Sequence, residues 1–180
     1  MSILTATFFN TDACTVAKQL LGKVIRRKFN QQWLAARIIE TEAYYLEEKG
    51  SHDSLNISCQ GKGNAVLIKS AFPYLGSLPT PASIATMQSL NSHPSGKSRP
   101  LEKLCNGQTL LCRALNLKVT DWDQHTFDPD QFYIEDVHTA PETIIQTTRL
   151  GIPLGRDELL PYRFIDHDFV KNCHQCSPIN

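Results

Sequence analysis

The stretch Ala36-Arg37-Ile38-Ile39-Glu40-Thr41-Glu42-Ala43-Tyr44-Tyr45 decides how this chain is read. It is rich in β-branched and aromatic residues and holds no Gly or Pro, so it reads as a strand. Strand side chains alternate between two faces. Ile38, Glu40, Glu42 and Tyr44 then fall on one face, and Arg37, Ile39, Thr41 and Ala43 on the other. Two carboxylates thus continue an apolar stripe. A partly desolvated carboxylate is a ready proton acceptor, which is what general acid–base catalysis needs. The alternative is a strand running out into water with both Glu side chains solvated, and spacing alone leaves both open.

Working outward, Trp33 to Tyr44 forms a hairpin with Lys23 to Phe29 across the polar Asn30-Gln31-Gln32. Ahead of it, Asn10, Thr11 and Asp12 offer an N-cap. Val16, Ala17, Leu20 and Leu21 then recur at helical spacing, and Gly22 suits the stop. Beyond it, Leu55 to Gln60 and Asn64 to Phe72 form a second hairpin around Gly61-Lys62-Gly63. Thr80-Pro81 starts a short helix through Met87 to Leu90. Asn91 to Pro100 is a surface loop, and Leu110, Leu111, Ala114 and Leu115 make one apolar helical face. Short strands are expected at Phe132 to Glu135 and Thr143 to Arg149, with an irregular tail after Asp166. Hairpins flanked by short helices, without a composition break, predict one α+β domain over residues 1–180.

Composition narrows the function. The 180 residues are 41% apolar and 20% charged, an ordinary globular balance. No apolar run is long enough for a membrane helix. No basic region precedes the first apolar residues, so an intracellular protein is expected. Lys plus Arg and Asp plus Glu both number 18, which excludes a nucleic-acid binder working by bulk positive charge. A local basic groove stays possible. Lys23, Arg26, Arg27 and Lys28 form one candidate cluster, and Lys97, Arg99 and Lys103 another. Either could track phosphates, or be a solvated edge. The six cysteines read as free thiols in a reducing compartment.

Three tempting motifs fail on geometry. Ser51-His52-Asp53 is too short a loop to hold a nucleophile–base–orienter line. Cys173-His174-Gln175-Cys176 is half a zinc site without a second pair. Gly61-Lys62-Gly63 falls far short of a phosphate loop.

Taken in order, the segments resemble the alkyladenine (3-methyladenine) DNA glycosylase family. Arg37 to Tyr44 matches its R-I-V-E-T-E-A-Y signature almost residue for residue. Asn56-Ile57-Ser58 to Ala71 is similar to its N-I-S hairpin. Leu104-Cys105-Asn106-Gly107 to Leu115 follows its L-C-x-G pattern, and Arg149-Leu150-Gly151-Ile152 and Pro161-Tyr162-Arg163-Phe164 its ending. The resemblance implies a curved, largely antiparallel sheet flanked by short helices. It implies a monomeric enzyme without metal or other cofactor that hydrolyses the N-glycosidic bond of alkylated or deaminated purines. Its partner would be double-stranded DNA carrying damaged purines, with no membrane involved. By the same resemblance Glu42 is the general base, and Lys69, where the family usually has Arg, helps hold the attacking water. Tyr44 and His52 sandwich the flipped base, and Asn56 polices the purine edge. Arg26, Arg27, Lys97 and Arg99 are the candidates for DNA backbone contact.

The departure from the family pattern lies between His52 and Asn56, where an aromatic hairpin that wedges into the duplex is missing. That absence keeps two alternatives in play: a DNA-binding relic, and a hydrolase of free nucleosides. The site also imposes a condition on the second hairpin. A plain three-residue loop would pair Asn56 with Ile68 and put Asn56 and Lys69 on opposite faces. A bulge near Gly61 or Gly63, pairing Asn56 with Lys69, is therefore expected.

Overall fold

The computed structural model describes residues 2–45, 54–76 and 81–173. Short β1 (Ser2–Ile3) and α1 (Ala6–Phe9) lead into α2 (Ala13–Leu20). Asp12 caps α2, its carboxylate accepting from the Thr15 N–H at 3.1 Å. Ala13, Val16, Ala17 and Leu20 form its buried face. Gly22 follows at φ +85°, and a Cβ there would collide with the Thr139 carbonyl, so only glycine fits this exit.

β2 (Val24–Phe29) and β3 (Gln32–Tyr44) pair as the expected hairpin. Asn30 and Gln31 both take left-handed angles, the requirement of a tight two-residue turn matched to strand twist. β4 (Leu55–Ser58) and β5 (Ala65–Pro73) form the second hairpin. Then come α3 (Pro81–Leu90), α4 (Leu101–Leu104), α5 (Gln108–Ala114) and α6 (Val119–Trp122). The chain closes with β6 (Phe132–Asp136), β7 (Ile144–Thr147), β8 (Arg163–Asp166) and a 3-10 helix over His167–Asn172. The tail after Asp166 is thus partly regular, contrary to expectation, with Asp166 capping that helix through the Asp168 N–H.

The eight strands among the described residues form one sheet in the order β1-β6-β2-β3-β5-β4, with β8 paired to β3 and β7 to β8. Every pairing is antiparallel, and the helices pack beside the sheet, which makes the fold α+β. β3 is the spine. Its first half pairs with β2 and its second half with β8, while β5 follows its other edge. The main core lies between β3–β5 and α2, α3 and α5, and includes Leu20, Ile38, Ala43, Val66, Ile68, Met87, Leu111 and Phe164.

The spine is not a regular strand. Ile38 pairs with Ala71 and Thr41 with Ile68, but between them Glu40 pairs with Ser70, leaving Ile39 and Lys69 out of step. Across this irregularity the alternation of faces changes phase. Ile38 and Ala43 both belong to the main core, and the Thr41 hydroxyl donates to the Ala17 carbonyl of α2 at 2.8 Å. Ile39 packs instead with Ile165, Cys173 and Phe72. This corrects the strict alternation: Ile38 does not share a face with Glu40, Glu42 and Tyr44. β5 changes phase at the same level, since Ala71, Ile68 and Val66 all belong to the main core.

Candidate active site

The face of the sheet away from α2 carries the candidate residues in one transverse row. Asn56 on β4 pairs with Leu67 on β5, Leu67 with Glu42 on β3, and Glu42 with Arg163 on β8. Asn56 thus stands two strands from Glu42, about 10 Å away. The register differs from the one expected. Asn56 opposes Leu67, neither Ile68 nor Lys69, and the ladder runs on through the Cys59 N–H to the Asn64 carbonyl at 2.9 Å. Gly61 and Gly63 do take left-handed angles, but within the turn. Lys69, two residues past Leu67 on β5, shares the Asn56 face by plain alternation, so this register needs no bulge in the hairpin.

Both acidic side chains of the signature are fully buried, so neither runs out into water. They differ in their partners. Glu40 accepts from Arg163 Nε at 2.6 Å and pairs with Arg163 Nη2 at 2.6 Å through one oxygen. Its other oxygen accepts from the Ser70 hydroxyl at 2.5 Å. Ser70 in turn accepts from the Gly107 N–H at 3.1 Å. Glu40 is therefore a saturated structural anion joining β3, β5, β8 and the start of α5.

Glu42 is held through one oxygen only. Oε2 accepts from the Tyr44 hydroxyl at 2.7 Å and lies 3.6 Å from Lys69 Nζ. Oε1 is buried and has no hydrogen-bond partner. A buried carboxylate oxygen left unpaired is costly, and its usual explanation is a water or a reacting group that completes it. The arrangement can hold one such molecule at Oε1 while Tyr44 and Lys69 fix the carboxylate plane.

The Tyr44 ring is itself braced. The Arg149 guanidinium lies 4.4 Å from its centroid and 5.4 Å from that of Tyr162. Arg149 Nη1 donates to the Ala43 carbonyl at 2.9 Å, and Nη2 meets Asp157 at 2.5 Å. Tyr162 packs at a tilt against Tyr45, ring centroids 5.2 Å apart, and the Tyr45 hydroxyl donates to the Asp12 carboxylate at 2.7 Å. Burial, with hydrogen bonds to Cys14 and Asp12, pushes the Tyr45 hydroxyl well up, so it stays protonated. In the sequence Arg149 and Arg163 are only letters of the closing motifs. Nothing local marks Arg149 or Arg163 as site neighbours, because each reaches its partner across more than a hundred residues of chain. His52 lies outside the described residues.

The two basic clusters part company. Arg26 is fully buried and ion-paired to Glu135 at 2.5 Å. Arg27 is buried over the Trp122 ring at 4.6 Å. Neither can reach a DNA backbone, which corrects that expectation: what read as a basic edge is an interior strand between β3 and β6. Lys97 and Arg99, by contrast, line an open groove of about 670 Å³ with His93, Lys103 and Asn106, and among the described residues that line it there is no carboxylate. Cys173 borders the same groove, while His174 to Cys176 lie outside the described residues. Among the described residues no cluster of His, Cys, Asp or Glu is placed to hold a metal, and no helix is long and apolar enough to cross a membrane.

The sequence profile of the methylpurine-DNA glycosylase family matches residues 7–55 and 45–169. A protein of Pseudomonas savastanoi pv. phaseolicola, provisionally named a 3-methyladenine DNA glycosylase, is 51% identical over 193 aligned positions, covering 92% of this chain and 86% of its own. A similarly named protein of Pseudomonas aeruginosa is 50% identical, covering 93% of this chain and 81% of its own. A more distant one, from Clostridium beijerinckii, is 29% identical across 90% of this chain and 94% of its own. The Pseudomonas alignments are longer than this whole chain, so those relatives carry residues that this chain lacks. The two matched stretches of the family profile overlap at residues 45–55. With the match spanning nearly the whole sequence, the signature strand included, the chain belongs to the methylpurine-DNA glycosylase family.

Proposed function

We propose that this protein is a monofunctional DNA glycosylase that removes alkylated purines such as 3-methyladenine, or deaminated purines, from DNA in base excision repair. One observation carries the reading. Glu42 is a buried carboxylate with one oxygen fixed by Tyr44 and Lys69 and the other left without a partner. In this reading Oε1 takes a proton from water as the water oxygen bonds to C1′ of the deoxyribose. The C1′–N bond breaks, and its electron pair leaves with the base. An alkylated purine is already cationic, so it departs as a neutral molecule without acid help. One well-held base and a dry site then suffice, and no cofactor is needed.

The base must leave the stack to reach Glu42. Tyr44 stacks on it, with His52 as the opposite wall and Asn56 at the purine edge. Lys69 supplies a point charge beside Glu42 where the family usually places a planar guanidinium, so it positions the water less rigidly. The groove of Lys97, Arg99 and Lys103 takes phosphates of the strand. The protein acts as a monomer, inside the cell, on its DNA. The shortened segment before Asn56 favours a second reading, a lesion binder that no longer turns over.

One lesion presented in duplex DNA, in single-stranded DNA and as a free nucleoside separates these readings. Base release from DNA supports the glycosylase, with the single strand the better substrate because no wedge fills the duplex gap. Release from the nucleoside alone overturns it, and lesion binding without release establishes the binder.

A further inference from the structure

The brace behind Tyr44 has an electrostatic consequence. An aromatic face attracts cations because its π cloud is electron-rich. In this molecule one face of the Tyr44 ring is already taken by the Arg149 guanidinium, at 4.4 Å. A base that stacks on Tyr44 has to use the other face. A positively charged purine there shares one ring with a second cation and is repelled by it, whereas a neutral purine is not.

We propose that Arg149 is a specificity-determining residue, whose charge behind the Tyr44 ring tempers the preference of the site for cationic purines over neutral ones. The inference rests on the glycosylase reading and deepens it by assigning how the site weighs its two substrate classes. The geometry supports an electrostatic role as well as a packing one. Arg149 is buried, its Nη1 is anchored on the Ala43 carbonyl beside Tyr44, and Tyr162 closes its far side at 5.4 Å. The charge is also adjustable, because its carboxylate partner, Asp157 at 2.5 Å, belongs to the half-buried part of the loop before β8. Asp157 offsets part of the guanidinium charge. Losing Asp157 and losing Arg149 should therefore push selectivity in opposite directions. The other charges near the ring, Glu42 and Lys69, stay in place in both variants.

The experiment uses two duplexes that differ only in the lesion, cationic N7-methylguanine or neutral hypoxanthine. Single-turnover release is measured for wild type, R149Q, R149K and D157N, with thermal melting to confirm folding. Equilibrium binding is measured on the same duplexes with 2′-fluoro sugars, which resist hydrolysis. R149Q is expected to raise the cationic-to-neutral ratio about threefold or more, the scale of one exposed cation–π contact. D157N is expected to lower that ratio, and R149K, which keeps the charge, to leave it near wild type while slowing both reactions. If R149Q slows both lesions equally, or D157N and R149Q shift the ratio the same way, Arg149 is only a packing residue and the proposal falls while the glycosylase reading stands. If wild type neither releases nor preferentially binds either lesion, both fall together.

Discussion

Glu40 and Glu42 lie two residues apart on one strand, equally buried, and do opposite things. Glu40 spends both oxygens on Arg163 and Ser70. Glu42 spends one, on Tyr44 and Lys69, and keeps the other. Burial alone therefore does not distinguish a structural carboxylate from a reactive one; the count of satisfied lone pairs does. A buried ion pair such as Glu40–Arg163 adds little net stability over an apolar pair, yet removing one partner strands a buried charge. The second carboxylate gives up part of its satisfaction, the usual mark of a group kept for chemistry.

The comparison can be broken most severely at Glu42. Replacing it with Gln should cut base release by about a thousandfold, the scale of a general base, with the melting temperature nearly unchanged. Glu40→Gln should do the reverse. Arg163 loses its anion, the fold loses about 3 kcal/mol, and folded molecules keep most of their turnover. Loss of turnover in a well-folded Glu40→Gln would invert the assignment.

The same contrast extends to the two basic clusters, with smaller effects. Lys97→Gln and Arg99→Gln should each weaken binding to any DNA sequence and lower the salt slope of log affinity by about one. Arg26→Gln should leave that slope unchanged and destabilise the fold instead, since it strips Glu135 of its partner. Salt titration of binding alongside denaturation decides between the roles. Smallest is the effect at Asp12, which anchors the brace behind Tyr44. The Tyr45 hydroxyl, and then the Thr15 N–H, hold the Asp12 carboxyl below the usual aspartate value. A lowered carboxyl stabilises the fold fully above the unfolded value, and the contribution drains away as pH falls through the folded one. Asp12→Ala should cost about 1 kcal/mol at neutral pH, as for other lost N-caps, and the gap to wild type should close in acid.

Much of this was readable from the chain. The cap at Asp12, the spacing of Val16, Ala17 and Leu20, and the polar turn at Asn30 are local signals, and the structure follows them. What escaped reading was non-local. Arg26 is hydrophilic on any scale, and only a partner more than a hundred residues away explains its burial. β8 is four residues long and begins and ends with a charged residue, so no hydropathy pattern announces it. Both charges are buried, because Arg163 meets Glu40 and Asp166 meets Arg37 at 3.1 Å. The phase change at Ile39 and Glu40 leaves no mark in residue types at all. Two-residue alternation fits Ile38-Ile39-Glu40-Thr41 equally well with or without it.

That phase change has a consequence for how the sequence can vary. The register between β3 and β5 is the same before and after it, so the two strands slip together and then recover, like paired dislocations of opposite sign in a crystal. A one-residue deletion in β3 alone, between Ile38 and Thr41, would leave two residues of β5 opposite one of β3, an ordinary β-bulge, with Thr41 and Ala43 still toward α2 and Glu42 and Tyr44 still on the site face. A matching deletion in β5 would leave a plain ladder with the same orientation. Shortening at this level therefore spares the site face, singly or in pairs, and removes instead the extra residues that let Glu40 meet Ser70.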